Sequence, residues 1–596
     1  MPILIEKVRI KNFRSLKDIE VTLSQLTLLV GANNAGKTSF LRALNLALGI
    51  ERKGVTTDDL FIDKNGEHLK DEQGNENRMI IIDVKIIPVD NDGKLVEEFE
   101  ENWRSEFQNS ISTNETNEFL AFRTQYLFKS QREDAKADKF KIEDWDSVIS
   151  PQSADILTAS LENLPLYFID AQRDIIDDLR NRTSYFGRLA TQIEYNGTDK
   201  ADLETKLGTI NEDAVNNSKV MSHVKTNLEN LNSTLRSGGS GVEITPFPKK
   251  LRDLHKSIKI HYQDAQSDIF ELDYHGMGTR SWASLLAFKA YVSWEDSAEN
   301  PKPKIPFHPI LALEEPEAHL HPNAQRQLYK QLKSINGQKI ISTHSPYIVG
   351  LAELEEIRYF YKDIDEVKVN SIDLTGFQKS DVQNLKLDVL KYNAEIFFSK
   401  VVIMSEGNTE ERVLPIFANK YFNVEAYEYG INFIGCGGNN YKLLLKILEA
   451  FQINWFIFSD YDNKNVKRGV NNALALIGIN DVASSSQTIC LEKNLEKYLV
   501  AEGYQNEIKQ AILNSKKPFV NHFYENAQIQ FVNNWTDAQI LEELEKEKKF
   551  YATFYAETIA NIPDENRRFP PKIKQLFEAI KEKLNITNDI NASAEN

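Results

Sequence analysis

The chain has 596 residues, a length that predicts at least two folded domains. Its 41% hydrophobic and 27% charged residues are ordinary for a globular protein, and a net charge of −17 argues against nonspecific coating of nucleic acid. Two cysteines argue against a disulfide framework or a cysteine-based zinc site, and no apolar run reaches the roughly 18 residues of a membrane helix. We therefore expect a cytoplasmic protein with no membrane partner.

The first informative elements are a strand, a glycine-rich loop and a helix. Leu26–Val30 is typical of a buried strand, and the ten residues from Ser39 have the apolar spacing of a helix. The segment between them, Gly31-Ala-Asn-Asn-Ala-Gly-Lys-Thr38, fits a loop whose backbone N–H groups surround phosphate. In such a loop Lys37 contacts the β- and γ-phosphates and the Thr38 hydroxyl ligates Mg²⁺. The other residues predicted to bind the nucleotide here are Gly31, Asn33, Asn34, Gly36 and Ser39.

Two polar stretches follow. A strand is predicted from Met79 to Ile87, after which residues 95–160 are rich in Glu, Asn, Asp and Ser and predict helices and loops of an insertion. A second helical insertion is predicted at 180–265, with a break at Ser237–Gly241. A dimerisation element and a helical surface decoration are both compatible with this composition.

Regular alternation of strand and helix resumes at residue 309. Strands at Pro309–Glu314 and Lys339–His344, with a helix after Pro322 between them, predict a largely parallel sheet covered by helices. The first strand ends in two consecutive carboxylates. One can hold Mg²⁺ while the next orients the attacking water, and we assign these roles to Glu314 and Glu315 respectively.

The phosphate-binding loop, the Glu-Glu-Pro-Glu-Ala-His-Leu-His-Pro run at 314–322 and Ser342-Thr-His-Ser345 together resemble the ABC-type ATPases of the RecF, SMC and Rad50 group. Glu314 stands where that group usually has Asp. The resemblance implies that His344 senses the γ-phosphate. It also implies that Gly278 belongs to a signature loop, within Tyr274–Ser281, that reaches the nucleotide of an opposite subunit in a dimer. Asp170–Arg173 is compatible both with further site contacts and with a solvated loop.

A second alternation of strands and helices begins near residue 394, so the domain boundary is predicted between about 375 and 395. Glu406 ends the first of its strands, and Glu410 starts the following helix. Asp460 and Asp462 come at the end of a later strand. Because ligands bind outside the carboxyl ends of strands in such sheets, these oxygen ligands predict a Mg²⁺ or Mn²⁺ site. The predicted strands are Lys400–Met404, Ile431–Ile434 and Trp455–Phe458.

Glu406 followed by Asp460-x-Asp462, with the Gly435–Gly438 turn between them, resembles the Toprim domain. An ABC-type ATPase followed by Toprim resembles the OLD (overcoming lysogenization defect) nuclease family and is similar to the nuclease subunit of the Gabija antiphage system. The resemblance implies an α/β fold in three parts. These are an ABC-type ATPase domain at 1–385 with a helical, dimerising insertion, a Toprim domain with helical C-terminal elements at 386–585, and a disordered tail at 586–596.

The same resemblance implies the remaining site residues. In that family two metal ions activate a water and stabilise the leaving oxygen. It implies ATP with Mg²⁺ or Mn²⁺ at both sites, Glu496 as the later acidic ligand with Glu492 as second choice, and Lys549 as the residue that stabilises the charged transition state. Asn494 stands where some relatives have Asp, and a solvated helix charge remains an alternative for Lys549.

The sequence therefore predicts an ATP-regulated, divalent-metal-dependent DNA endonuclease of antiphage defence. Its predicted partners are DNA, further copies of the chain in a homodimer or higher homo-oligomer, and a candidate helicase. The alternative is a RecF- or SMC-like DNA-binding ATPase clamp whose Toprim domain is weak or inactive, an interpretation that Asn494 favours. A topoisomerase or primase needs a tyrosine-nucleophile or zinc-binding region that is not recognisable, and the Toprim half disfavours an ABC transporter.

Overall fold

A computed structural model describes most of the chain. The described residues are 3–49, 54–146, 155–170, 197–222, 225, 247–248, 261–262, 270–271, 277–295, 306–516 and 525–586, with gaps at 72, 115, 130–134, 365, 376, 438–440, 463 and 481. Several predicted features lie wholly or partly outside these residues. They are Tyr274–Gly276 of the signature loop, residues 171–173, the break at Ser237–Gly241, Gly438, the tail beyond 586 and most of the second insertion.

The β-strands of the described residues lie between Ile3 and Leu491. Their bounds are β1 Ile3–Phe13, β2 Leu16–Thr22, β3 Leu26–Val30, β4 Met79–Pro88, β5 Ile111–Asn114, β6 Asn117–Leu127, β7 Ala137–Lys141, β8 Leu166–Ile169, β9 His261–Tyr262, β10 Phe270–Glu271, β11 Ile310–Glu314, β12 Gln338–Ser342, β13 Ile357–Asp363, β14 Glu366–Asn370, β15 Val401–Ser405, β16 Ile431–Gly435, β17 Asn454–Asp460 and β18 Thr488–Leu491.

The helices are concentrated toward the C-terminus. Their bounds are α1 Lys37–Leu48, α2 Glu101–Phe107, α3 Gly197–Asn217, α4 Met277–Glu295, α5 Pro322–Lys333, α6 Pro346–Val349, α7 Asn408–Phe422, α8 Tyr441–Ala450, α9 Lys464–Ala475, α10 Leu495–Ala501, α11 Gln505–Lys516, α12 Glu525–Asn533, α13 Asp537–Lys546, α14 Lys548–Ala560 and α15 Pro571–Lys583. Shorter helical segments precede β15: Lys379–Asn384 and Lys391–Asn393 are α-helical, and Leu385–Leu390 between them is a π-helical turn.

Contacts divide the chain into two compact units. The first comprises residues 1–13, 38–60 and 70–342, and the second comprises 14–37, 61–69 and 343–596. In the first unit β11 pairs in parallel with β8 and β12, as the alternation predicted. The first unit also contains an antiparallel sheet in which β4 lies between β1 and β6, and β6 also pairs with β5 and β7.

A buried ion cluster crosses the antiparallel sheet. Arg9, Asp83 and Arg123 face one another on three adjacent strands. The Arg123 guanidinium donates to both Asp83 oxygens, at 2.8 and 2.9 Å, and Asp83 is fully buried. The Arg9 guanidinium lies 4.6 Å from the Trp145 ring centroid. A bidentate pair of this kind satisfies a buried charge that would otherwise destabilise the sheet.

The prediction that residues 95–160 form helices and loops is wrong for most of the described part of that stretch. The only α-helix described there is α2, whereas β5, β6 and β7 extend the antiparallel sheet. The eleven residues of β6 include buried Phe119, Phe122 and Tyr126. Aromatic and β-branched residues fit a pleated, half-buried surface, a signal that the surrounding Glu, Asn and Asp obscure. In the second insertion α3 is helical as predicted, whereas His261–Tyr262 near its end form strand β9.

In the second unit β3 and β13 pair in parallel, and β13 pairs antiparallel with β14. A separate four-stranded sheet has the order β16-β15-β17-β18, with all pairs parallel. The three strands predicted here are thus confirmed within one or two residues, and β18 is an addition. No helix among the described residues is long and apolar enough to cross a bilayer.

The core of this four-stranded sheet is shared with the C-terminal helices. One hydrophobic cluster contains Val401 of β15, Phe417 of α7, Leu499 of α10, Tyr555 of α14 and Phe577 of α15. Each such side chain contributes roughly 1.5–3 kcal/mol when fully buried. The helices that follow β18 therefore belong to the same packed body as the sheet, and they hold the carboxylate-bearing loops in place.

Candidate nucleotide and metal sites

The glycine-rich loop leaves β3 through a conformation that only glycine fits. Gly31 has φ +136°, and a Cβ built there would lie 2.0 Å from the Phe360 carbonyl oxygen. Lys37 is 5% exposed, and its ammonium donates to the carbonyl oxygens of Gly31 and Ala32, at 2.8 Å each. The loop thus turns back over the lysine and holds the ammonium against its own backbone. Asn33 and Asn34 are exposed, Gly36 is buried, and Ser39 lies half-buried in the first turn of α1.

The next residue, Thr38, meets the end of β11. Its hydroxyl donates to Oε1 of Glu314, and Oε2 of Glu314 is buried with no hydrogen-bond partner among the described residues. A hydroxyl beside an incompletely satisfied carboxylate fits Mg²⁺, which prefers oxygen ligands. The Glu314 side chain therefore reaches the threonine hydroxyl directly.

The three other predicted ATPase residues follow strands or start a helix. Glu315 has φ +44°, a left-handed conformation that is strained for a side chain of this size, and its N–H donates to the Ser342 carbonyl at 3.0 Å. His344 follows β12, and its ring centroid lies 6.0 Å from that of Phe398. Gly278 lies in the first turn of α4, where a Cβ would be 2.7 Å from the His319 carbonyl oxygen. The signature-loop role of Gly278 stays a prediction.

The second candidate site lies at the carboxyl edge of the parallel sheet in the second unit. Glu406 follows β15, and Asp460 ends β17, its immediate neighbour. Glu410 lies in the first turn of α7 and accepts from the Gly407 N–H at 3.1 Å, so it also caps this helix. Glu496 lies in the first turn of α10, a helix that follows β18. Four carboxylates from separate elements thus converge on one edge because their strands are parallel.

Three of these four carboxylates are buried, Glu406 is half-buried, and three of the four have an oxygen without a partner among the described residues. Asp460, Glu410 and Glu496 are at most 8% exposed. Glu406 Oε2, Asp460 Oδ1 and Glu496 Oε1 have no hydrogen-bond partner among the described residues. The other Asp460 oxygen accepts from the Leu495 N–H at 3.3 Å. Buried oxygens of this kind need a proton or a cation, so the donor set fits a divalent ion.

Burial and mutual repulsion hold protons on this cluster when no cation is bound. Burial, reinforced by Glu410, Glu406 and Glu496, raises the pKa of Asp460 to about 9. Burial and nearby Glu496 and Glu406 raise the pKa of Glu410 to about 7, against the opposing effect of its backbone hydrogen bonds. Burial and the nearby charge of Asp462 raise the pKa of Glu406, and the positive charge of Lys548 partly offsets this increase. Among the described residues, no group of three or more Asp, Glu, His or Cys side chains is already arranged tightly enough to hold a metal ion.

Asp462 differs from the other carboxylates because it is exposed. It is nevertheless close enough to Glu406 to raise the pKa of that group. The Asp460-x-Asp462 spacing therefore gives one buried and one solvated carboxylate at the end of β17. An exposed ligand keeps a bound ion open to substrate.

The two alternatives for the later acidic residue lie in different environments. Glu496 is buried at the cluster, whereas Glu492 is exposed. Asn494 lies between them as the N-cap of α10, where its side-chain oxygen accepts from the Lys497 N–H at 3.0 Å. This hydrogen bond gives a local structural reason for an asparagine at 494.

Sequence reasoning missed two residues near the carboxylates. The ammonium of Lys548 lies 3.9 Å from Glu496, whereas the predicted Lys549 is exposed and contributes its backbone carbonyl to Arg412. Tyr555 is buried, has no hydroxyl partner among the described residues, and has a pKa raised by burial and by Glu496, Glu410 and Asp460. The helical register of α14 would identify both residues, but only once Glu496 is known to face that helix.

Comparison with known proteins agrees with this division of sites. Residues 4–349 match the family model described as an AAA ATPase domain. Residues 397–462 match the model described as the TOPRIM domain of overcoming lysogenization defect protein-like sequences. The two models contain the two groups of site residues up to Asp462, and Glu496 and Lys548 lie beyond the second.

Three curated relatives align over most of the chain. The OLD nuclease of Thermus scotoductus is 24% identical over 77% of this chain and 82% of its own length. Endonuclease GajA of Bacillus cereus is 20% identical over 88% of each chain, and the Old nuclease of Escherichia phage P2 is 24% identical over 78% of each. The α/β fold with an ATPase part and a TOPRIM part is thus confirmed. The chain belongs to the AAA ATPase domain family and carries an OLD-like TOPRIM domain at residues 397–462.

Proposed function

We propose that the protein is an ATP-regulated, divalent-metal-dependent DNA endonuclease that acts in antiphage defence. The family supports an ATPase linked to a nuclease, and the relatives named endonuclease GajA and OLD nuclease support phosphodiester cleavage. The observation that carries the proposal is the edge of the four-stranded sheet. There, buried carboxylate oxygens from β15, β17 and α10 lack partners among the described residues and have a lysine beside them.

At this edge Glu406, Asp460, Asp462 and Glu496 would hold Mg²⁺ or Mn²⁺, with Glu410 supporting them from the start of α7. A bound divalent ion supplies an activated water and charge stabilisation at the leaving oxygen. Lys548 would place its ammonium near the negative charge that develops on the phosphate, the role that the sequence suggested for Lys549. Asp462, being exposed, would lie on the substrate side of the site.

At the other site Lys37 would exchange its two backbone carbonyl partners for the β- and γ-phosphates of ATP. Thr38 and Glu314 would hold the accompanying Mg²⁺, and Glu315 would orient the water that attacks the γ-phosphate. His344 would respond to the γ-phosphate.

A line of aromatic contacts supports the proposal that the nucleotide regulates cleavage. The ring of His344 contacts Phe398, and the adjacent Phe397 lies 5.1 Å from Phe451, which follows α8 of the TOPRIM sheet. Phe397 also lies 6.4 Å from Tyr359 of β13. Residues 394–398 therefore connect His344 with Phe451 and Tyr359. A change in the position of His344 would alter the packing of Phe397 against these two rings.

A supercoiled plasmid separates the leading function from the ATPase-clamp alternative. We expect the wild-type protein to convert the plasmid to nicked or linear DNA in Mg²⁺ or Mn²⁺, and Glu406→Gln to leave it intact while ATP hydrolysis continues. Lys37→Ala should abolish ATP hydrolysis. Glu492→Gln is the matched control, because this glutamate is exposed and close in sequence to the acidic ligand. A wild-type protein that binds DNA and hydrolyses ATP but leaves the plasmid intact in both metals would establish the clamp instead.

Partners follow from the same proposal. DNA is the substrate, and a homodimer or higher homo-oligomer would bring the segment containing Gly278 to the ATP of another copy. A helicase remains a candidate partner, to be tested by co-purification.

A further inference from the structure

Helix α9 carries an unusual local charge for this chain. It begins at Lys464, two residues after Asp462, and contains three basic residues and no acidic one, although the whole chain has a net charge of −17. Lys464, Lys467 and Arg468, here called the basic face, are all exposed. Positions i, i+3 and i+4 lie on one side of a helix, so the three charges point the same way. The opposite side is buried through Val466, Val470, Ala473 and Leu474.

No acidic partner among the residues that the structure describes neutralises the basic face. No acidic side chain of the described residues forms an ion pair with any of its three members. The ammonium of Lys467 lies 5.1 Å from the centroid of the Tyr461 ring, and the Tyr461 hydroxyl donates to Asn471 Oδ1 at 2.8 Å. Tyr461, which lies between Asp460 and Asp462 in the sequence, thereby contacts the basic face. A cation–π contact of this kind orients the lysine without removing its charge.

The position of α9 suits a DNA substrate that runs past the carboxylates of the candidate metal site. The helix begins four residues after Asp460, the last residue of β17, so one end of the basic face is near the carboxylate edge. From Lys464 to Arg468, the two ends of the basic face, the helix rises by about 6 Å, close to two phosphate intervals. Phosphates on one DNA strand follow at about 3.4 Å along the duplex axis, so the face matches about three successive phosphates.

We propose that the basic face of α9 binds the phosphate backbone of DNA next to the bond that is cleaved. This inference rests on the proposed function and specifies how the substrate is held. Exposed Lys and Arg contacts of this kind give affinity and register without sequence preference. They also concentrate positive charge on one helix face of an otherwise acidic protein, so local DNA binding is compatible with the net charge.

The test is the salt dependence of DNA binding by the full-length protein. Binding of a labelled duplex is measured by fluorescence anisotropy across a range of KCl concentrations, with Ca²⁺ replacing Mg²⁺ to suppress cleavage. The variant combines Lys464→Gln, Lys467→Gln and Arg468→Gln. Because each phosphate contact contributes about 0.9 to the slope of log K against log[salt], the slope should fall by about 2 to 3 in magnitude. Thermal unfolding of the variant verifies its fold.

A matched control removes the same charge elsewhere in the second unit. Lys572, Lys574 and Lys583 of α15 are exposed, and their combined replacement by Gln should leave the slope at the wild-type value. An unchanged slope in the α9 variant would overturn the inference and would leave an acidic protein partner as the better occupant. Equal losses in both variants would overturn it too, because they would reflect net charge alone. If the wild-type protein cuts plasmid but the α9 variant has the wild-type salt slope, only the inference about α9 fails. If the wild-type protein neither binds nor cuts DNA, the proposed function fails as well.

Discussion

Removal of the Asp460 charge should have opposite effects on stability with and without metal. In the absence of a cation Asp460 is buried beside Glu410, Glu406 and Glu496, and its pKa is raised to about 9. Asp460→Asn keeps the shape and the oxygen that accepts from Leu495, and it removes an ionisable group that the protein must keep protonated. We therefore expect the variant to be at least as stable as the wild type in EDTA.

With metal the order should reverse. A ligand present at 100 times its dissociation constant stabilises the folded state by about 2.7 kcal/mol. For a folded body of about 200 residues, 1 kcal/mol corresponds to about 2–4 °C, so saturating Mg²⁺ or Mn²⁺ should raise the Tm of the wild-type TOPRIM transition by about 5–10 °C. The Asp460→Asn variant should lose most of this shift, since one anionic ligand is gone.

Differential scanning calorimetry in EDTA and in excess metal measures both effects. Glu492→Gln is the control for loss of a carboxylate, because Glu492 is exposed and outside the cluster. A wild-type-sized metal shift in Asp460→Asn would refute the assignment of Asp460 as a ligand. A variant much less stable than the wild type in EDTA would refute the argument that burial and repulsion make a carboxylate at position 460 unfavourable without metal.

Four further predictions follow from particular contacts. Lys548→Ala should reduce DNA cleavage more than Lys549→Ala in a plasmid assay, because only the Lys548 ammonium approaches Glu496; equal losses would contradict this. Phe398→Ala should weaken the effect of ATP on cleavage while plasmid cutting without nucleotide persists, whereas exposed Tyr392→Ala should not; a wild-type ATP response in Phe398→Ala would count against the aromatic route. Asp83→Asn should cost about 3–5 kcal/mol in denaturant unfolding because it leaves the buried Arg123 unpaired, against a near-neutral Asp92→Asn. Burial lowers the pKa of His308 from 6.5 to about 3, so below pH 6.5 the imidazole binds a proton in the unfolded chain but not in the folded protein. The free energy of unfolding should therefore fall by about 2 kcal/mol between pH 8 and pH 5. His308→Phe should remove that part of the pH dependence.

The sequence was sufficient where chemistry and periodicity coincide. The apolar run of β3 leads directly into Gly31, whose backbone conformation excludes a side chain, and a loop of this kind is recognised from spacing alone. Glu406 and Asp460 could be predicted to meet because the carboxyl ends of parallel strands share an edge. In both cases the structural reason is local or follows from strand direction.

The sequence was insufficient where a residue depends on packing between distant segments. Lys548 and Lys549 are adjacent at the start of α14, and the packing of that helix decides which of them approaches Glu496. Likewise β6 was hidden because its buried aromatic residues lie between strongly polar flanks, and the antiparallel sheet that buries them is formed by strands far away in sequence.

The shared core of the TOPRIM sheet and the C-terminal helices also limits how the domain can be inherited. The family model matches residues 397–462, but the side chains packed against Val401 and Phe417 come from as far along the chain as Phe577. Recombination that exchanged only the matched segment between relatives would join two halves of cores that are not matched to each other. The segment that can be exchanged with its core intact therefore extends through α15 and includes Glu496 and Lys548.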